Sequence, residues 1–294
     1  MYKISKKTAA VLAGSIMLGL FLGAGTALAR EWAADVFRTP KAVEQVTGIQ
    51  CVILPTVNEN QEGMREEFVL DAPFSRFTET LRNVRVLINS GSLEHGGKVI
   101  GVVSSVANEG KTTVAANLAA LVTMSAGART LIIDSDVHRR LLSAKLAPDA
   151  DEGLVEALVN PSRLDALVSK RQRSELDILP CALSSRISNA AELLGSSNMG
   201  QLLDAARKTY DYVIVEIAPI MSVVDLKMIE RFIDKFIFVV EWGRTKRSLV
   251  LEALSEAQMI RERLIGIVLN KADPVALQRL EVYKGDKFRA YYEE

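Results

Sequence analysis

Six short apolar runs rich in Val and Ile recur along the chain, at 99–103, 130–133, 177–179, 212–217, 235–240 and 264–269. Uninterrupted apolar strands need cover on both faces, which is the situation of a parallel sheet between two helical layers. Amphipathic helical stretches lie between most of them, at 112–125, 189–208, 222–233 and 248–262. The alternation predicts an α/β fold with a doubly wound, mostly parallel sheet that binds ligands beyond the carboxyl ends of its strands. The 294 residues suit one such domain with appendages.

Composition removes several functions. Lys and Arg number 36, as do Asp and Glu, so no net positive charge favours nucleic acid, and no nucleic-acid partner is expected. The two cysteines, Cys51 and Cys181, are too few for a disulfide framework and have no neighbours at zinc-ligand spacing.

The first apolar run leads into chemistry. Val99-Ile100-Gly101-Val102-Val103-Ser104 enters the loop Ser105-Val106-Ala107-Asn108-Glu109, and Gly110-Lys111-Thr112-Thr113 opens a helix. Backbone N–H groups and the helix N-terminus would cradle phosphates there. Lys111 would neutralise β/γ oxygens, and the Thr112 hydroxyl would bind Mg²⁺. The G-x-x-x-x-G-K-[S/T] pattern wants glycine at position 105, where this chain has Ser105. Nucleotide-binding candidates are therefore Ser105, Asn108, Glu109, Gly110, Lys111, Thr112 and Thr113. Further on, Thr130-Leu131-Ile132-Ile133-Asp134-Ser135-Asp136 puts two carboxylates just past a buried strand. Tyr212-Val213-Ile214-Val215-Glu216 puts a third at another strand end. Carboxylates so placed can bind Mg²⁺ or its waters and polarise an attacking hydroxyl. Candidate catalytic residues are Lys111, Asp134, Asp136 and Glu216; candidate metal contacts are Thr112, Asp134 and Glu216.

A different kind of segment precedes this. From Thr8 to Ala29 there are 22 residues without charge, enough helix to span about 30 Å of hydrocarbon. Gly19 and Gly23 form a G-x-x-x-G surface, and Trp32 stands where an interfacial aromatic would lie. The rival reading is a secretory signal, with Lys3, Lys6 and Lys7 as its basic start and Ala27-Leu28-Ala29 as its cleavage site. Its apolar region is longer than the usual signal, and a nucleotide domain behind it needs cytoplasmic ATP. The expectation is a single-pass anchor in the inner membrane with the nucleotide domain in the cytoplasm. The flanking charges are tied, with Arg30, Arg38 and Lys41 following the run, so orientation rests on the ATP argument. The expected divisions are an anchor at 1–30, a connector at 31–72, a catalytic domain at 73–276 and a tail at 277–294. A short helix over 40–47 and a strand at Cys51–Leu54 are expected within the connector.

Taken together, phosphate loop, D-x-D strand and third acidic strand resemble the bacterial tyrosine kinases of exopolysaccharide synthesis, polysaccharide co-polymerases whose kinase domain is a P-loop NTPase fold. Val36-Phe37-Arg38-Thr39-Pro40 looks like their juxtamembrane segment, and Glu79-x-x-Arg82-x-x-Arg85 matches their oligomerisation helix. Asn189-Ala190-Ala191-Glu192-Leu193-Leu194 is similar to the segment before the third motif, and Asn270 to the asparagine near the base. The resemblance implies ATP and Mg²⁺, a homo-oligomer through Glu79, Arg82 and Arg85, membrane partners of polysaccharide polymerisation or export, and autophosphorylation on Tyr283, Tyr291 and Tyr292. Departures from the pattern are His138 for an arginine and Glu216 for an aspartate. They leave open a nucleotide-binding regulatory subunit with weak or no kinase activity. A GTPase is a further alternative, because Asn270-Lys271-Ala272-Asp273 spells N-K-x-D, although Glu216-Ile217-Ala218-Pro219 stands where D-x-x-G would be.

Overall fold

The computed structural model describes residues 14–26, 35–57, 65–90, 98–182, 189–222 and 225–282. Its centre is a sheet of eight strands: β1 (Cys51–Pro55), β2 (Lys98–Ser104), β3 (Thr130–Asp134), β4 (Ser169–Lys170), β5 (Asp177–Leu179), β6 (Tyr212–Glu216), β7 (Lys235–Glu241) and β8 (Leu264–Ala272). They lie in the order β1-β8-β7-β2-β6-β3-β5-β4, all neighbours parallel except β4, which runs antiparallel to β5. Side chains alternate across this sheet with the period of two that strands impose. Val99 and Val103 of β2, Leu131 and Ile133 of β3, and Val213 and Val215 of β6 join one apolar core; Ile100, Val102, Ile132 and Ile214 join the other. Gly101 has no side chain because the Phe236 ring of β7 crosses its face, and a Cβ there would lie 2.7 Å from that ring.

All six apolar runs are strands, as expected, and three of the four expected helices are subdivided. The stretch 189–208 breaks into Ala190–Leu194 and Ser197–Thr209. Gly195 sits at the break, packed so closely that a Cβ would lie 2.7 Å from the Met228 methyl. Residues 248–262 break at Ala257 into Arg247–Glu256 and Gln258–Glu262. The third, 222–233, forms Asp225–Ile229 and a 3₁₀ turn at Glu230–Phe232. The fourth is continuous, Lys111–Ala126, and packs beneath the sheet through Val114, Leu118 and Leu121.

The segment ahead of position 73 is part of this sheet. Thr39 Oγ1 accepts from the Ala42 amide and Pro40 takes the first helical position, so a helix starts at Pro40. It ends at Gly48, whose φ of +74° lets its amide turn back to the Glu44 carbonyl. β1 follows and pairs with β8 as the edge strand. Residues 65–71 then lie over the Lys111–Ala126 helix. Asn117 on that helix accepts from the Val69 amide at 2.9 Å and donates to the Arg65 carbonyl at 2.6 Å. The buried Glu67 carboxylate receives Arg171 at 2.9 and 3.2 Å. The expected helix over 40–47 and strand at Cys51–Leu54 are both present.

Of the apolar run at 8–29, the described part, 14–26, is helical and exposed. Among the described residues no helix is long and apolar enough to cross a membrane. Tyr283, Tyr291 and Tyr292 lie outside the described residues.

Candidate nucleotide site

Parallel pairing collects the chemistry at one edge. Glu216 at the end of β6 is in register with Asp134 at the end of β3 and with Val102 of β2, so two carboxylates and the phosphate loop emerge side by side. The loop closes on itself and then turns sharply. Ser104 Oγ donates to the Val106 carbonyl, and the Val106 amide donates to Glu109 Oε2, both at 2.8 Å. Asn108 and Gly110 take positive φ, 71° and 89°. A side chain at Gly110 would overlap the Asn270 amide, so this turn requires glycine. Lys111 and Thr112 then begin the helix, whose first N–H groups have no intrahelical partner.

Lys111 Nζ donates to Asp136 Oδ2 and to Glu216 Oε1, each at 2.8 Å. Thr112 Oγ1 donates to the same Glu216 oxygen at 2.5 Å. Burial pushes the Lys111 pKa down, but Glu216 and Asp136 outweigh it and the net shift is upward, so the ammonium stays charged. Asp134 is engaged differently. One oxygen accepts from the Ser143 amide and hydroxyl at 2.9 and 2.6 Å, the other from the Asp136 amide at 3.1 Å. Burial first, then the charge of Glu216, push its carboxyl up to about 7. The structure thus places Asp136, and not Asp134, against Lys111.

One ammonium serves two buried carboxylates, Asp136 and Glu216, and two buried polar atoms here lack partners: Glu216 Oε2 and Ser105 Oγ. Orphaned buried polar atoms are costly and rare in folded proteins, so both suit a ligand that brings donors or a cation. The residues therefore fit Mg²⁺ carried with a nucleotide, held by Thr112 and Glu216. Among the described residues no three His, Cys, Asp or Glu side chains form a metal site, so phosphate oxygens and water would complete the coordination.

The remaining sequence candidates divide into those at the loop and those away from it. Asn270 Nδ2 donates to the Glu109 carbonyl at 2.9 Å, and Lys271 Nζ to the Asn108 carbonyl at 2.5 Å. Asp273 of the N-K-x-D stretch instead accepts from the Val275 amide at 2.8 Å, capping the next helix. Thr113 continues the helix from Thr112. Glu109 turns its carboxylate away from Lys111, toward Thr245 Oγ1 at 2.5 Å and the Glu241 amide at 3.2 Å. His138 is exposed. Glu79 and Arg82 pair with each other on the Arg76–Ser90 helix, on which Arg85 also lies, and Arg82 also donates to the Pro73 carbonyl. Ser143, Glu241 and Thr245 were not among the candidates. Only a fold brings residues 143 to 134, and 245 to 109, into hydrogen-bonding range.

Residues 97–242 match a family described as an AAA domain. The succinoglycan biosynthesis transport protein ExoP of Rhizobium meliloti is 38% identical over 226 residues, 76% of this chain and 29% of ExoP. The chain therefore spans less than a third of that relative's length. The tyrosine-protein kinase CpsD of Streptococcus agalactiae serotype III is 30% identical over 178 residues, covering 60% of this chain and 75% of CpsD. The solved kinase domain of the Escherichia coli tyrosine kinase ETK superposes with a TM-score of 0.71 at 22% identity, over 81% of this chain and 96% of that one, which establishes the shared fold. With its phosphate loop, paired acidic strands and these relatives, the chain belongs to the bacterial tyrosine-kinase family.

Proposed function

We propose that this chain is a membrane-anchored, ATP-dependent protein-tyrosine autokinase that regulates exopolysaccharide polymerisation or export. The observation that carries the reading is the buried cluster of Lys111, Thr112, Asp136 and Glu216, with Glu216 Oε2 and Ser105 Oγ lacking partners. Lys111 exchanges carboxylate partners for phosphate oxygens when nucleotide enters, and the N–H groups at the start of its helix hold the same phosphates. Mg²⁺, when bound, neutralises charge on the β- and γ-phosphates. A tyrosine hydroxyl from a neighbouring subunit's tail attacks the γ-phosphorus, ADP leaves, and the hydroxyl proton passes to a carboxylate. Asp136 is better placed to take it than Asp134, because Asp136 lies against Lys111, where the phosphates bind, while Asp134 is turned toward Ser143 and the Asp136 amide.

The acceptors are Tyr283, Tyr291 and Tyr292, and the apolar run at 8–29 is the anchor, with the catalytic domain on the cytoplasmic side of the inner membrane. Assembly runs through Glu79, Arg82 and Arg85, and the partners are membrane proteins of the polysaccharide machinery. Each added phosphate contributes about −1.5 to −2 charge, so phosphorylated tails repel one another and loosen the oligomer.

One observation favours a second reading, a nucleotide-binding regulatory subunit with little turnover. Glu216 Oε1 already accepts from both Lys111 and Thr112, and a carboxylate held this way competes with the phosphates for Lys111. Mass spectrometry of the detergent-solubilised chain after incubation with Mg-ATP, beside Lys111→Met, separates the two. Phosphate on Tyr283, Tyr291 or Tyr292 that is lost in the variant supports the autokinase. Bound ATP without phosphate transfer supports the regulatory subunit, and recovery of transfer in Glu216→Asp then names the residue responsible.

A further inference from the structure

The turn after β7 is fastened more heavily than its short length explains. The Trp242 amide donates to the Asn270 carbonyl and its indole to the Arg38 carbonyl, both at 2.8 Å. The Gly243 amide donates to the Phe37 carbonyl at 2.9 Å, and the Arg247 amide to the Asp35 carbonyl at 2.8 Å. Phe37 itself is fully buried, with the Arg247 guanidinium over its ring. The side chain this rigid turn presents inward is Thr245, 6% exposed, whose hydroxyl meets Glu109, 1% exposed. Glu109 in turn receives the Val106 amide, four residues ahead of Gly110 in the phosphate loop.

We propose that Thr245 is a positioning residue for the phosphate loop, acting through Glu109. The inference rests on the nucleotide-binding reading of that loop. Thr245 touches no reacting atom. Its hydroxyl fixes one carboxylate oxygen, which leaves the other aimed at the Val106 amide and holds the loop open for phosphate. Burial pushes the Glu109 carboxyl upward, and the Thr245 hydroxyl is the foremost of the donors that pull it back. Without that donor Glu109 Oε1 keeps only the longer bond from the Glu241 amide, 3.2 Å, and the carboxylate is held less firmly against the loop.

The test is titration of the full-length, detergent-solubilised chain with a fluorescent ADP analogue. Thr245→Val keeps the shape and removes the donor, and it weakens binding about tenfold, the effect of one hydrogen bond to a buried charge. Thr245→Ser restores the donor and returns affinity to within about twofold of wild type. In a Glu109→Ala background, Thr245→Val has no further effect, because its route to the loop is gone. Thr245→Ala serves in the same comparisons should the valine variant not fold. Unchanged affinity in Thr245→Val, or an equal loss with Glu109 absent, overturns the inference while leaving nucleotide binding intact. A wild-type chain that binds no nucleotide overturns the reading on which it rests.

Discussion

Glu109 and Glu216 are both 1% exposed and flank the same phosphate loop, yet their environments are opposite. Glu109 has both oxygens engaged by an amide of its own loop, the Glu241 amide and the Thr245 hydroxyl. Glu216 leaves one oxygen without a partner and crowds the other with two donors. A satisfied buried carboxylate is scaffolding, since nothing is gained by moving it. An unsatisfied one beside a lysine is a site held ready, because a ligand relieves the strain of burial. Residue type and burial do not separate the two; the count of donors does.

The contrast can be broken most forcefully at Lys111. Lys111→Met strands Asp136 and Glu216 as unpaired buried carboxylates, and the unfolding free energy in urea is expected to fall by about 3–5 kcal/mol, alongside loss of nucleotide affinity. A loss confined to nucleotide binding would mean that the ion pairs of Lys111 add nothing to the stability of the free protein.

Asp134 gives the next largest effect, through pH. Its folded-state pKa, about 7, lies above its unfolded value of 3.8. The folded chain therefore holds this proton more tightly than the unfolded chain. That contribution is complete below about pH 4 and is lost as pH rises through about 7, a change on the order of 2–4 kcal/mol. Asp134→Asn removes the titration, so relative to wild type the variant should gain stability between pH 5 and pH 8. Parallel urea curves at the two pH values measure it, and a difference that does not vary with pH would place the proton elsewhere.

How much of this was readable beforehand follows chain distance. Lys111, Thr112, Asp134, Asp136 and Glu216 were legible because each ends a strand run or opens the helix after one, and buried parallel strands announce themselves by composition. Ser143 and Thr245 were not legible, because a serine or threonine in a polar stretch carries no local mark of the carboxylate it will meet. The break at Gly195 was equally invisible, being set by Met228 from another helix. Motif order does not rank Asp134 against Asp136; side-chain direction at the strand end does, placing Asp136 against Lys111.

Two smaller tests sharpen the contrast. Glu216→Gln removes charge from the side held ready for ligand, and Mg²⁺ affinity in the presence of ADP should fall about tenfold, or about 1.4 kcal/mol, while Mg-free ADP binds within about twofold of wild type. Calorimetric titration reads both, and an equal loss in the two would make Glu216 a phosphate contact. The smallest effect is expected at Ser105, whose buried hydroxyl lacks a partner. Ser105→Ala should be neutral or stabilising by up to about 1 kcal/mol without nucleotide, yet weaken nucleotide binding severalfold. Destabilisation of the free protein would show that the hydroxyl is already satisfied.

Residues 35–38 are fastened to the same edge of the sheet that carries the phosphate loop. Only the five residues 30–34 separate them from the apolar run that ends at Ala29. Fully extended, five residues reach roughly 18 Å. An anchor over 8–29 would therefore tether the catalytic edge within about two nanometres of the bilayer, on a leash too short for the domain to tumble freely. Encounters between one copy's tail and another's catalytic edge would then be set by crowding within a thin layer of cytoplasm. The rate of phosphate transfer would follow the number of chains per unit area of membrane, rather than their concentration in the cell.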